Sequence, residues 1–543
     1  MKRFKLFLAM AALACAIGLT VKYGSTYRPV VEPVREIEEI WALEDAREES
    51  GEPLVTRLFC NGIPMAYDAE NNVFYGSLGL ENGAQWPEIK LTASEETAKG
   101  LSLCFADDYG FDDCDAAIRE GYSYQIFAYT DTAYSYAEVV FTGLPLVNVT
   151  ADQTIEREDV PAQIEIALAA EGLQTNGRIH KRGGASILND KVGYKLEFTR
   201  TADGKKKIYR EIPGMGTDSQ VILLPMNALD TTMMRDRLSW ALYARLTRRD
   251  EPFSARKTQY CELFLNGEYR GVYLMLEPFS VRQEVAKAGE ERLTTDSVYR
   301  TAVISLSHGR PCMEDPYSAA TGFELYYPMD GEPDFSPLAD YFALLGETDD
   351  AAFMRRAAQI IDLDSALRYD VVLQLFGLTD NVINNMYTWA QNSRGHTRYR
   401  FDFWDLDVSW GLKRDEIGEM HENWVFFPLV DRLLRADEEG GVRQRYGEIY
   451  REVREKAFDT ETVEALVGQY AHELNDSGAM ARNAERWETE NYAADGYELV
   501  AFAAERIALL DEPVRAMSAG EEIDLRFLEK TNYDDKGTPL SEE

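Results

Sequence analysis

Two strand-like runs joined by Asn266-Gly267 impose the firmest local constraint on this chain. Tyr260-Cys261-Glu262-Leu263-Phe264-Leu265 alternates in the manner of a strand, and Tyr269-Arg270-Gly271-Val272-Tyr273-Leu274 resumes the pattern after the turn. Asn-Gly accepts the two positive φ values that a tight hairpin demands, so the two runs should pair antiparallel. Ala162 to Leu168 alternates in the same way. Between these runs, Thr231 to Leu246 carries apolar residues at helical spacing and should form a helix. Asp364 to about Thr379 reads as another helix, and Val442 to Met517 as largely helical. Strands and one helix followed by a helical region is an α+β arrangement.

The remaining chain divides by texture. Lys2, Arg3 and Lys5 precede an uncharged apolar run from Leu6 to about Val21, the pattern of an export signal. That run is short for a membrane span, so residues 1–26 are expected to act as a signal or an anchor. Export places the protein outside the cell or in the cell envelope. Membrane contact is expected only through this segment. Residues 27–53 read as an acid-rich linker. Residues 54–143 form short aromatic and β-branched stretches between turn residues, which predicts a small β-sandwich-like domain. Residues 144–528 make the main unit, and 529–543 a polar tail.

Charge excludes one class of partner. The chain of 543 residues has 94 acids against 57 bases, a formal net charge of -37. A polyanion gains nothing from displacing counterions on nucleic acid, so nucleic-acid binding is set aside. The six cysteines include no CxxC pair and there are five histidines, which excludes an ordinary structural zinc site. Cys104 and Cys114 bracket a short acidic loop and are candidates for a disulfide.

Chemistry concentrates between Leu378 and Gly411. Asp380 and Asn385 stand five residues apart, close enough for one loop to aim both at one point. A phosphotransferase needs a carboxylate to receive the substrate hydroxyl proton, and an amide oxygen nearby to hold Mg²⁺; protein kinases use an Asp-x4-Asn spacing for these two jobs. Asp405 and Asp407 follow on a β-like stretch ending at Gly411, and either carboxylate can complete a metal shell. Taken singly, Asp-x4-Asn is a common coincidence, and the aspartates flanking Leu406 fit the solvent face of a strand. Phe401, Phe403, Trp404, Leu406 and Trp410 argue otherwise, because carboxylates set among large apolar side chains require a cation or several donors.

Several blocks in order resemble the CotH kinase family over most of residues 144–430. They are Leu144-Pro145-Leu146-Val147; Arg182-Gly183-Gly184-Ala185-Ser186 with Lys191-Val192-Gly193-Tyr194-Lys195; Leu224-Pro225-Met226-Asn227-Ala228-Leu229-Asp230 with Met234-Arg235-Asp236; the hairpin from Glu262 to Leu274 with Glu277; Asp380 to Tyr387; and Trp404-Asp405-Leu406-Asp407 with Gly411. The resemblance implies an atypical protein-kinase-like fold with a β-rich N-lobe and a helical C-lobe. It implies Asp380 as catalytic base, Asn385 (or Asn384) as a metal ligand, and Asp405, more than Asp407, as the metal-binding acid. A lysine, Lys191 or Lys195, would meet the ATP phosphates, assisted by Arg182 and by the backbone of Gly183 and Gly184. Glu277 would pair with that lysine or border the nucleotide. Two positions depart from the family pattern, Val192 in place of a second lysine and Pro278 after Glu277, and both leave the choice of lysine open.

The expected function is therefore an exported kinase using ATP with Mg²⁺ (or Mn²⁺) to phosphorylate Ser or Thr hydroxyls of an envelope or spore-coat protein. The oligomeric state is not specified by the sequence. ATP is scarce outside cells, so two rivals stand beside this reading. One is a non-catalytic envelope or coat scaffold that keeps the fold; the other is a carbohydrate-binding surface protein using the aromatics of residues 54–143.

Overall fold

The computed structural model describes residues 29–521 except 34, 87–88, 95–99, 107–111, 184, 227–229, 247–254, 280–295, 303–321, 329–333, 394, 413–423 and 426, together with 532–533 and 539–540. The apolar run Leu6 to Val21, Gly184, Cys15 and Cys312 lie outside the described residues, as does most of the polar tail. Among the described residues, no helix is long and apolar enough to cross a membrane. The chain is a mixed α+β protein.

The first unit contains β1 (Val31–Glu32), α1 (Ile37–Asp45), β2 (Glu48–Glu49), β3 (Leu58–Cys60), β4 (Ile63–Pro64), β5 (Ala66–Asp68), β6 (Val73–Ser77), β7 (Leu91–Ala93), β8 (Ser102–Phe105), α2 (Cys114–Arg119), β9 (Ser123–Tyr129) and β10 (Ala133–Thr142). One sheet runs β1-β8-β9-β10-β6-β5, with β2 also on β10, and a smaller sheet runs β4-β3-β7. Phe74, Trp86, Tyr124, Ile126 and Phe141 share one core, with Trp86 stacked on Tyr124 at 4.6 Å. No large hydrophobic side chain is exposed among the described residues of 54–143. The aromatics that the carbohydrate-binding rival would use are thus packed inward or half-buried. Cys104 and Cys114 are both buried and are not joined in a disulfide. They lie in different cores, Cys104 beside Ile40 and Phe127 under α1, Cys114 with Trp86 and Phe74. Proximity in sequence does not put them on the same face of the sheet.

The next unit is a closed barrel. Its strands are β11 (Leu146–Thr150), β12 (Val160–Leu168), β13 (Glu171–Arg182), β14 (Gly193–Thr199), β17 (Gln220–Leu224), β18 (Thr258–Leu265) and β19 (Glu268–Leu276). A side hairpin of β15 (Arg210–Ile212) and β16 (Gly216–Asp218) precedes β17. The order is β11-β12-β13-β14-β17-β19-β18, and β11 pairs parallel with β18 to close it. Ile164, Ile166, Tyr194, Leu196, Phe198, Leu263 and Tyr273 fill the interior. At the β18–β19 turn, Asn266 and Gly267 take φ of 54° and 77°, the values that drew attention to this pair in the sequence.

Helix α3 (Arg235–Ala244) links β17 to β18. It starts four residues later than the apolar spacing predicts. The Asp230 carboxylate captures the Thr232 N–H and hydroxyl at 3.2 and 2.6 Å, and Met233 has φ of 57°, so no helical turn forms there. A second sheet, ordered β21-β20-β22-β23, is built from β20 (Ser297–Ala302), β21 (Phe323–Tyr327), β22 (Asn384–Ser393) and β23 (His396–Phe403). The helices of this unit are α4 (Ala339–Leu345), α5 (Asp350–Ile360), α6 (Leu363–Phe376), α7 (Asp380–Ile383), α8 (Pro428–Arg435), α9 (Gly441–Lys456), α10 (Thr460–Asp476), α11 (Ala479–Trp487) and α12 (Tyr497–Ser518). Their core includes Trp240, Tyr369, Trp389 and Trp410, and it extends onto the outer face of the barrel through Ile222, Tyr260, Leu274 and Leu276.

One buried ion pair ties the three units. Glu262 of β18 takes hydrogen bonds from Arg482 of α11 at 2.9 and 2.8 Å and from the Tyr269 hydroxyl at 2.7 Å. Thr142, at the end of β10, donates to the Ser477 carbonyl beside it.

Candidate functional site

Helix α6 delivers the first site residue. Its start is capped by the Asp362 carboxylate, which accepts the Ser365 N–H, and its end is set by Gly377 at φ 65°, a left-handed stop. Three residues later Asp380 opens α7 with only 2% of its surface exposed. Its carboxylate accepts hydrogen bonds from the side-chain amides of Asn385 at 2.8 Å and Asn384 at 3.3 Å.

The β22–β23 hairpin then brings Asp405 back to the same place. Met386 lies opposite Phe403, and the Trp404 N–H donates to the Asn385 carbonyl at 2.9 Å. Asn385 and Asp405, on either side of that bond, have φ of 58° and 57°. Two non-glycine residues in the left-handed region at one hairpin end are the kind of backbone strain that concentrates at functional sites. The stretch read as β-like stops at Phe403: Asp405 and Asp407 sit instead in a turn, closed by the Ser409 N–H on the Asp407 carbonyl and by the Ser409 hydroxyl on the Leu406 carbonyl. Left-handed φ at Asp405 is what ends the strand.

Sequence reasoning assigned no role to the third acid. Asp236, in the first turn of α3, is buried and accepts the Leu406 N–H at 3.2 Å. Burial, and then the neighbouring Asp405 carboxylate, push its carboxyl well above the usual range. The available signal was Arg235-Asp236-Arg237 within a helix otherwise rich in apolar residues; all three prove buried. Arg235 donates to the Ser409 carbonyl at 3.1 Å, so α3 holds the Asp405 turn at both ends. Among the described residues, no group of three or more His, Cys, Asp or Glu is placed to hold a metal.

The barrel presents one cation to this turn and carries another at the interface edge. Arg182, at the end of β13, places its guanidinium over the Trp404 ring at 5.6 Å. Lys195 of β14 lies in register with His180 and Ile222, and Ile222 with Leu276. Ile222 and Leu276 pack onto the helical unit, so Lys195 stands at the edge of that interface. Burial, then the Lys207 charge, with Arg182 contributing, lowers its pKa. Neither Arg182 nor Lys195 makes an ion pair or a side-chain hydrogen bond within the described residues. Gly183 has φ of 127° and a Cβ there would meet the Ser186 hydroxyl at 2.4 Å, which the turn itself explains. Glu277, one residue past β19, accepts the Lys257 N–H at 3.2 Å.

Lys191 is a correction. It precedes β14, so the shared strand face expected for Lys191 and Lys195 does not exist. Its ammonium group donates to the Val272 carbonyl at 2.6 Å and to Asn483 at 2.9 Å, and lies over Tyr273 and Trp487. These contacts tie it to β19 and α11. Burial brings its pKa down to about 7. In the unfolded chain Lys191 binds a proton up to about pH 10.4, whereas the folded protein loses it near 7, so its contribution makes the fold more stable as pH rises from 7. The melting temperature is expected to rise between pH 7 and 9 in the parent, and this slope to flatten in Lys191→Met. An unchanged slope would refute the assignment.

A cavity of about 450 Å³ opens elsewhere, at the barrel mouth between Ala151–Ile155, Lys181 and Arg270. It does not include Asp380 or Asp405.

A family model described as CotH kinase protein matches residues 179–510, more than half of the chain. The match begins within β13, ends within α12, and spans Arg182, Lys195, Asp236, Asp380, Asn385 and Asp405. No curated protein matches the chain. The extent of the family match settles the assignment: the chain belongs to the CotH kinase family.

Proposed function

We propose that the protein is an ATP-dependent phosphotransferase of the atypical protein-kinase type, acting on Ser or Thr hydroxyls of a protein, exported to the envelope or spore coat. The observation that carries this reading is the meeting of Asp380, Asn385 and Asp405 at one hairpin end, with Arg182 and Lys195, unpaired among the described residues, on the barrel side. Asp380 would orient the hydroxyl and accept its proton as the oxygen bonds to the γ-phosphorus; the bond to the β-phosphate oxygen breaks and ADP leaves. Lys195 and Arg182 would neutralise phosphate charge.

The donor set fits Mg²⁺ or Mn²⁺ held partly by the nucleotide: Asp405 and the Asn385 amide oxygen supply hard oxygen ligands, and such ions draw their remaining ligands from phosphate and water. When bound, the metal supplies charge neutralisation at the phosphates. The burial of Asp380 beneath Asn384 and Asn385 favours one alternative, a scaffold that keeps the fold without the reaction.

The test is thermal stabilisation by ATP with Mg²⁺ or Mn²⁺. At about a hundred times the dissociation constant, the ligand should add about 2.7 kcal/mol, and the shift should need metal and vanish in Asp405→Ala. A well-folded protein that shows no shift supports the scaffold.

A further inference from the structure

We infer that Asn381 is the positioning residue that locks the Asp380 loop to the Asp405 turn; the inference deepens the phosphotransferase reading and rests on it for its kinetic consequence. Asn381 is fully buried. Its side-chain amide nitrogen donates to the Trp404 carbonyl at 2.7 Å and to the Asn385 carbonyl at 3.3 Å. Its own carbonyl accepts the Tyr369 hydroxyl at 2.8 Å, which fixes it to α6.

The two accepting carbonyls are not arbitrary. One belongs to Asn385 itself, the other to the residue before Asp405, and Asn385 and Asp405 both have left-handed backbone. A peptide plane connects each carbonyl to the next N–H, so a donor on the Trp404 carbonyl also restrains the φ of Asp405. Asn381 thus uses one NH₂ group to hold both proposed metal-binding residues in their strained conformations. The neighbouring bond from the Trp404 N–H to the Asn385 carbonyl closes the hairpin end but leaves the Trp404 carbonyl unrestrained. An aliphatic side chain at 381 would pack as well and restrain nothing. The Asn381 amide nitrogen is engaged by these two carbonyls, so it acts through Asn385 and Asp405.

The experiment compares the full chain with Asn381→Ala and Asn381→Ser, the serine hydroxyl being able to donate to one carbonyl. Two readouts are taken. Amide hydrogen exchange across 404–406 is expected to rise about tenfold in Asn381→Ala, the equivalent of one lost hydrogen bond, and less in Asn381→Ser, with residues 160–199 unchanged. In phosphotransfer assays with Mg²⁺ and ATP, kcat should fall about ten- to a hundredfold while KM for ATP stays within about twofold, because the loss is one of alignment. Unchanged exchange at 404–406 in both variants overturns the inference, as does a rise in KM at constant kcat. If the parent shows no phosphotransfer, the proposed function fails, and the exchange result still decides whether Asn381 holds the turn.

Discussion

Asp380→Asn is expected to reduce phosphotransfer about 10²- to 10⁴-fold while leaving nucleotide binding nearly intact. The substitution keeps shape and burial but removes the group that receives the hydroxyl proton. Asp380 accepts hydrogen bonds from the Asn384 and Asn385 amides, which an asparagine oxygen at 380 can still accept, so the stabilisation given by ATP with Mg²⁺ should change little. The check is a paired measurement of turnover and of melting-temperature shift on one preparation. A loss of less than about tenfold, with folding and binding intact, would remove Asp380 from the role of base.

The largest stability effect is expected at Arg482. Glu262 has no exposed side-chain surface and Arg482 very little, so Arg482→Met strands a buried carboxylate. Removing one partner of such a pair costs about 3–5 kcal/mol, whereas replacing both with apolar residues is often neutral. Denaturant unfolding should therefore show a large loss in Arg482→Met and substantial recovery in Glu262→Leu/Arg482→Met. The double variant should recover less fully than an isolated pair would, because the Tyr269 hydroxyl also donates to Glu262. The pair has a pH signature as well. Burial raises the Glu262 carboxyl, but the Arg482 charge and the hydrogen bonds from Arg482, Thr142 and Tyr269 outweigh it, and the net effect is a pKa below 4.5. A depressed folded pKa contributes stability above the unfolded value and loses it as pH falls. The parent should thus lose stability more steeply than the double variant below about pH 4.5.

Local chemistry made part of this legible in the sequence. Asn266-Gly267 specified a hairpin because few other dipeptides tolerate two positive φ values, and the hairpin is where the pattern placed it. The apolar spacing around Leu367 and Leu375 marked α6, although its end was set by Gly377, three residues before Asp380. The candidate residues Asp380, Asn385 and Asp405 were visible through spacing and resemblance, and the β22–β23 hairpin is what brings them together.

Long-range pairing was not legible. Closure of the barrel depends on β11 meeting β18 across more than a hundred residues, for which no local motif codes. The choice between the two lysines stayed open for a related reason. Lys191 and Lys195 share parity, but the strand begins only at Gly193, and the extra turn lets Lys191 swing to Val272 and Asn483. Asp236 was overlooked because its significance depends on Leu406 and Asp405, 170 residues away in the chain.

The proposed nucleotide would sit between the Arg182–Lys195 face of the barrel and the Asp380–Asp405 hairpin end. The most direct test is titration of the full chain with ATP and Mg²⁺, comparing the parent with Lys195→Ala and Lys191→Ala. The account requires saturable, metal-dependent binding that weakens about tenfold or more in Lys195→Ala, the loss of about 1.4 kcal/mol from one charge-assisted contact, and persists in Lys191→Ala. Equal binding by the parent and Lys195→Ala, or loss confined to Lys191→Ala, would contradict it.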